Sequence, residues 1–252
     1  MGGALLARWA LLDDITFTVL DPARPDVPEG VRVLTSADQL DDGAFDAFIV
    51  AVKPQLIDQA VPVTARALRA GGCAISIAAG TSAASVSRAC GGAATIRLMP
   101  NMPARLGLGI SGVFATSDAT LSQIDLAMAL GEAVGTSLRL ADEDQIDRIT
   151  AAAGSGPGYV FEFARCYQNA AQALGFSEDE ARALTLQTLS GCAALAGETG
   201  QSFEALRNSI MSEGGTTAAG VAALNADGIL DARMEAALQA AYARALELSR
   251  GG

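Results

Sequence analysis

The sequence contains no histidine. That excludes Ser-His-Asp and Cys-His catalysis and any histidine-ligated metal site, and no metal is expected. Only one of the 17 basic residues is a lysine, Lys53, and 28 acidic residues set a net charge of -11. A surface of that sign repels phosphate backbones, so nucleic acid is not an expected partner. The four cysteines, Cys73, Cys90, Cys166 and Cys192, lie far apart with no CxxC pair. They read as buried thiols in a reducing cytoplasm. No apolar run reaches the roughly 18 residues of a membrane helix. The opening MGGALLARWALLDD carries Arg8 within its apolar stretch and has no basic leader. A soluble, cytoplasmic protein away from membranes is expected.

What is present is apolar material: 50% of the 252 residues are hydrophobic and 18% charged, enough for a large core in one or two domains. In the first half, helical and strand patterns alternate. Leu5, Leu6, Trp9 and Leu12 recur at helical spacing, and residues 15–20 form a β-branched run ending at Asp21. Strands are expected at 45–52, 73–78, 94–99 and 109–115, with a helix from Pro54 carrying Ile57, Val61 and Leu68, and with Thr81 capping another. Such alternation predicts βαβ units and a mostly parallel sheet.

After about Ala141 strand-type runs give way to Ala-rich helical stretches, so the domains are expected at 1–141 and 142–252. Pro157 opens one helix, Ser177 and Glu180 form a capping box for the next, others follow Ser202 and the GGTT turn, and Asp231 caps the last. The helix 178–196 carries Ala181, Leu184, Leu186, Leu189, Ala193 and Leu195 on more than one face. That is more apolar surface than a small monomeric domain buries, which predicts self-association.

Several segments can carry chemistry. Asp21 lies roughly 20 residues beyond Gly2, the interval between a dinucleotide-binding glycine turn and the acid that holds the adenosine ribose, but the turn's preceding strand and two earlier glycines are missing, and a plain helix start and strand-end turn is the alternative. Lys53, in AVKPQ, follows a strand and can face phosphate or ribose at the carboxyl edge of the sheet; the alternative is a solvated surface lysine. SIAAGTS (76–82) is a small-residue turn that admits close approach of a ring or phosphate, with ordinary turn chemistry as the alternative. In MPNMP, two prolines fix the chain around Asn101, whose amide can meet a nicotinamide carboxamide or substrate. In SEGGTT, Gly214 and Gly215 expose backbone N–H groups ahead of a helix, an anion site for a substrate carboxylate, and the hydroxyls of Ser212 and Thr217 can add hydrogen bonds.

Taken in order, AVKPQ (51–55), SIAAGTS (76–82), RLMPNMP (97–103), AGSGPGYVFEF (153–163) and SEGGTTAAG (212–220) resemble pyrroline-5-carboxylate reductase along essentially the whole chain. The resemblance implies an α/β Rossmann-type domain followed by an all-α dimerisation domain. It implies hydride transfer from NADPH or NADH to the cyclic imine 1-pyrroline-5-carboxylate, giving proline. Gly2, Gly3, Asp21, Ala51, Lys53, Pro54, Ala79, Gly80 and Asn101 would then bind the cofactor. Ser212, Gly214, Gly215, Thr216 and Thr217 would bind the substrate, with Ser212 and Thr217 nearest the chemistry. It also implies a homodimer, commonly assembled further into a decamer. A protonated imine accepts hydride without a strong general acid, so the absence of histidine fits.

Two departures from the family stand out. There, MGG corresponds to the end of a glycine turn preceded by a full first strand, here apparently lacking; weak cofactor binding and low stability are expected of the chain as written. Glu213 stands where the family usually has proline. Asp21 favours NADH, because a carboxylate accepts hydrogen bonds from a ribose diol and repels a 2′-phosphate, while Arg24 nearby can reverse that. Two rivals are a β-hydroxyacid-dehydrogenase-like reductase, which needs a lysine that the helical half lacks, and a truncated, catalytically inert chain that only assembles.

Overall fold

The computed structural model describes residues 1–250. The chain divides into two compact units: Met1–Pro157 together with the stretch from Gln239, and Gly158–Leu238.

The first unit is built on parallel strands. Helix α1 (Gly2–Trp9) leads into β1 (Thr18–Leu20), β2 (Arg32–Leu34) and β3 (Phe45–Val50). Then follow α2 (Ile57–Ala60), β4 (Leu68–Ser76), α3 (Ala83–Ala89), β5 (Ala94–Met99), β6 (Gly109–Ala115), α4 (Leu121–Glu132), β7 (Gly135–Arg139) and α5 (Asp144–Ile149). The sheet is in two pieces, β1-β2 and β3-β4-β5-β6-β7. All neighbours are parallel except β5 and β6. Among the described residues no backbone hydrogen bond joins β1 to β3. Both strands therefore end their sheets as edges.

Side chains alternate across the central strands as the pleat requires. Ile75, Ile96, Leu98 and Val113 point to one face, where they pack with Leu5, Trp9, Ala127 and Leu130 of α1 and α4. The Trp9 indole donates to the Leu130 carbonyl at 2.7 Å, tying α1 to α4. On the other face, Ala74 and Val50 pack with Val86 and Ala89 of α3, and Met99 packs with Ile146 and Ile149 of α5. This last cluster places α5 in the first unit, and the compact division falls at Pro157.

The second unit holds most of α6 (Gly156–Ala173), then α7 (Glu178–Thr199), α8 (Phe203–Ser209), α9 (Thr216–Leu224) and the start of α10 (Ile229–Arg250). Ser177 and Glu180 form the expected capping box at α7. Ser202 caps α8.

Several local expectations are corrected. The helix after Pro54 is one α-turn between 3-10 turns, and Leu68 belongs to β4. Ser82, not Thr81, caps α3. At the start of α10 Asp231 lies in the first turn and accepts from the Asn225 amide, while Asn225 Oδ1 accepts from the Leu230 N–H at 2.9 Å. Of the cysteines, Cys73 and Cys90 are buried, as expected, but Cys166 and Cys192 are exposed. Helical position puts those two on outward faces of α6 and α7, where nothing in their own unit covers them. No described helix is long and apolar enough to cross a membrane.

Candidate active site

The expected cofactor residues follow the carboxyl ends of successive parallel strands: Asp21 after β1, Ala51, Lys53 and Pro54 after β3, Ala79 and Gly80 after β4, and Asn101 after β5. That is the edge at which open α/β sheets take ligands. Helix α1 opens at the same edge. A methyl group added at Gly2 would stand 3.1 Å from the Ala51 Cβ. The first turn of α1 carries no acid and no side-chain cap, so its N–H groups, those of Gly2 and Gly3 included, are open to an anion.

The loop after β4 is shaped by its residues. Gly80 has φ +69, in the left-handed region, and a Cβ there would come within 3.1 Å of the Leu248 Cβ. The Thr81 hydroxyl is buried with no hydrogen-bond partner among the described residues. An orphaned hydroxyl beside a glycine turn fits a group that presents polar atoms to this edge, as a dinucleotide does.

Asp21 Oδ1 accepts from the Ala23 N–H at 2.8 Å. One carboxylate oxygen thus closes the turn after β1 while the other is left for a ribose. Arg24, with φ 48, is exposed three residues beyond Asp21. Lys53 is exposed at the start of the turn from Pro54. Asn101 is spent differently from expectation: its Nδ2 donates to the Ala153 carbonyl at 3.2 Å and its Oδ1 accepts from the Ile110 N–H at 3.0 Å. Its amide pins the segment after β5 to β6 and to the turn ahead of α6, leaving one N–H and one lone pair for any ligand.

The second group of residues lies wholly within the other unit. Gly214 adopts φ +70, which favours glycine, and a Cβ on Gly215 would stand 3.1 Å from the Ser212 carbonyl oxygen and force the Ser212 hydroxyl to turn away. The Gly215 N–H donates to the Ser212 carbonyl at 2.9 Å, closing the turn. Gly215 then caps α9 without a side-chain hydrogen bond and with no acid in the first turn. The N–H groups of Thr216 and Thr217 therefore begin the helix uncapped, next to an exposed Ser212 and a half-buried Thr217. Glu213 is exposed.

Sequence reasoning passed over a buried ion pair. Arg97 of β5 is 2% exposed, and its Nη1 donates to Glu143 Oε1 at 3.1 Å. A lone charge inside a strand pattern, IRLM, was the available signal.

Residues 143–248 match the family described as pyrroline-5-carboxylate reductase dimerisation. The chain is 38% identical over 205 residues to the pyrroline-5-carboxylate reductase of Pseudomonas aeruginosa, covering 81% of this chain and 75% of that one. Its structure resembles that of the Coxiella burnetii pyrroline-5-carboxylate reductase, with a TM-score of 0.81 and 35% identity over 87% of this chain and 82% of that one. It shares the fold of the Plasmodium falciparum pyrroline carboxylate reductase, a structure with NADP bound, at a TM-score of 0.84 and 22% identity over 99% and 94% of the two chains.

Proposed function

This chain belongs to the pyrroline-5-carboxylate reductase family, and from that premise we propose which of its residues do the work. The activity is NAD(P)H-dependent reduction of the C=N bond of 1-pyrroline-5-carboxylate, giving proline. The cofactor, when bound, supplies hydride from nicotinamide C4. The imine nitrogen is protonated near neutral pH, so the protein's task is to hold two partners in register in a dry site.

The turn Ser212–Thr217 takes the substrate. Uncapped N–H groups at the start of α9 receive its carboxylate. The Ser212 and Thr217 hydroxyls orient the ring, Thr217 against the nitrogen, as hydrogen-bonding groups and not as acids. The single observation that carries this reading is the glycine-capped, acid-free start of α9 within SEGGTT. Gly2, Gly3, Ala51, Lys53, Pro54, Ala79, Gly80 and Asn101 line the cofactor's edge of the sheet, and Asp21 receives the adenosine ribose, favouring NADH over NADPH. The dimerisation domain pairs two copies of the chain, and the active form is a homodimer working in the cytoplasm. Apolar residues left exposed on α6 and α7 support the pairing.

The test is oxidation of NADH and NADPH at 340 nm driven by pyrroline-5-carboxylate. Thr217→Val is expected to lower kcat/KM about 10- to 100-fold, the equivalent of one hydrogen bond of about 1.5–3 kcal/mol to a charged partner. An unaltered rate in that variant would remove Thr217 from the site.

A further inference from the structure

At the carboxyl end of β4 and β5, three elements converge on one oxygen atom. Glu143 Oε1 accepts from the Ala83 N–H of α3 at 2.6 Å and from Arg97 Nη1 of β5 at 3.1 Å. Glu143 itself is the cap residue of α5. Arg97 is 2% exposed, while the Glu143 side chain is 35% exposed. The Nε and Nη2 of Arg97 find no partner among the described residues.

Removing a guanidinium from water costs several kcal/mol, and a single partly solvated carboxylate offsets little of that. An ion pair of this kind is a poor source of stability, but it fixes geometry well. What it fixes here is the first N–H of α3, and through it the loop Ala79–Ser82, whose Thr81 hydroxyl is buried and unpartnered. On the opposite side, Gly80 abuts Leu248 of α10. The loop is thus gripped at both ends, from α5 through Glu143 and from α10 through Leu248.

We propose that Glu143, held in place by Arg97, is a positioning residue that sets the loop Ala79–Ser82 for the dinucleotide. This rests on the reading that the loop faces the cofactor. Glu143 does not touch the reacting atoms; it acts through the Ala83 N–H.

The experiment compares Glu143→Gln, whose side-chain oxygen still accepts from Ala83, with Glu143→Ala, whose side chain cannot. NADPH affinity is followed by fluorescence titration, the two Michaelis constants by steady-state kinetics, and the loop by hydrogen exchange of residues 79–83. Glu143→Ala is expected to weaken NADPH binding and raise its KM about tenfold, to leave the KM for pyrroline-5-carboxylate within twofold, and to speed exchange in the loop about tenfold. Glu143→Gln stays within threefold of the parent in every readout. Should Glu143→Ala fold poorly, Arg97→Met combined with each substitution removes the buried charge and keeps the contrast. Equal behaviour of the Gln and Ala variants, or parallel changes in both Michaelis constants, overturns the proposal. If the loop exchanges faster in the Ala variant while the parent chain binds neither NADH nor NADPH, the positioning role stands and the cofactor reading fails.

Discussion

The two units solve the problem of burial differently. In the first, a sheet carries apolar side chains on both faces, and Leu5, Trp9, Ile75, Ile96 and Leu98 are nearly or wholly withdrawn from water. In the second, the only buried residues between Gly158 and Leu238 are Ala171, Ala181 and Thr185, while Leu184, Leu186, Leu195 and Phe203 are 43%, 58%, 54% and 83% exposed. A helical segment that buries so little cannot offset its conformational entropy unaided. The unit matches a dimerisation family over residues 143–248, in line with apolar surface left for a partner.

The sharpest way to break this contrast is to place a charge on each unit's exposed apolar surface. Leu186→Glu on α7 is expected to dissociate the dimer, with a loss of at least 100-fold in association constant by sedimentation equilibrium, since a charge buried at an interface goes uncompensated. The same change at Leu121 on α4, 79% exposed, is expected to leave association and melting unaltered. Next in size is a cavity in the first core. Ile96→Ala should cost about 2–5 kcal/mol by denaturant titration without altering association.

A smaller effect is expected from pH. Burial pushes the Cys73 and Cys90 thiols up to about 11, with Asp46 adding to the shift at Cys73. Folded-state values raised above those of the unfolded chain mean that the native state holds protons more tightly. The stability they contribute is complete below about pH 9 and is lost as pH rises towards 11, read as a falling melting temperature. At pH 8 both thiols should resist a disulfide reagent until the chain unfolds. Smallest of all is Glu213→Pro: with Glu213 exposed beside the turn, only a modest change in the KM for the imine is expected, and loss of all activity would give Glu213 a direct role.

The same division decides how much was legible in the sequence. Strands β5 and β6 stand where ATIRLM and GISGVFA predict them, because short runs rich in apolar and β-branched residues suit a central, mostly buried strand. β2 was not foreseen: it is only RVL, with one buried residue. β4 begins five residues before its apolar run, at Leu68, across Gly71 and Gly72, where pairing with β3 shifts register. Such a start has no periodic signature. Turn glycines, by contrast, announced SEGGTT correctly as a helix start, since their conformations are dictated locally. The internal bonds of Asn101 and the Arg97–Glu143 pair join residues far apart in sequence, and no local pattern encodes them. Burial across the second unit was legible only as excess apolar surface, because its own helices leave residues such as Leu186 and Phe203 exposed.

The most direct measurement is the rate of NADH and NADPH oxidation driven by pyrroline-5-carboxylate, taken on the parent chain and on Leu186→Glu with the oligomeric state of each sample determined alongside. If the substrate turn is ordered only within a completed dimer, the parent is active as a dimer and the monomeric variant loses most of its rate while the first unit remains folded. A monomeric Leu186→Glu chain that turns over as fast as the parent would contradict the account.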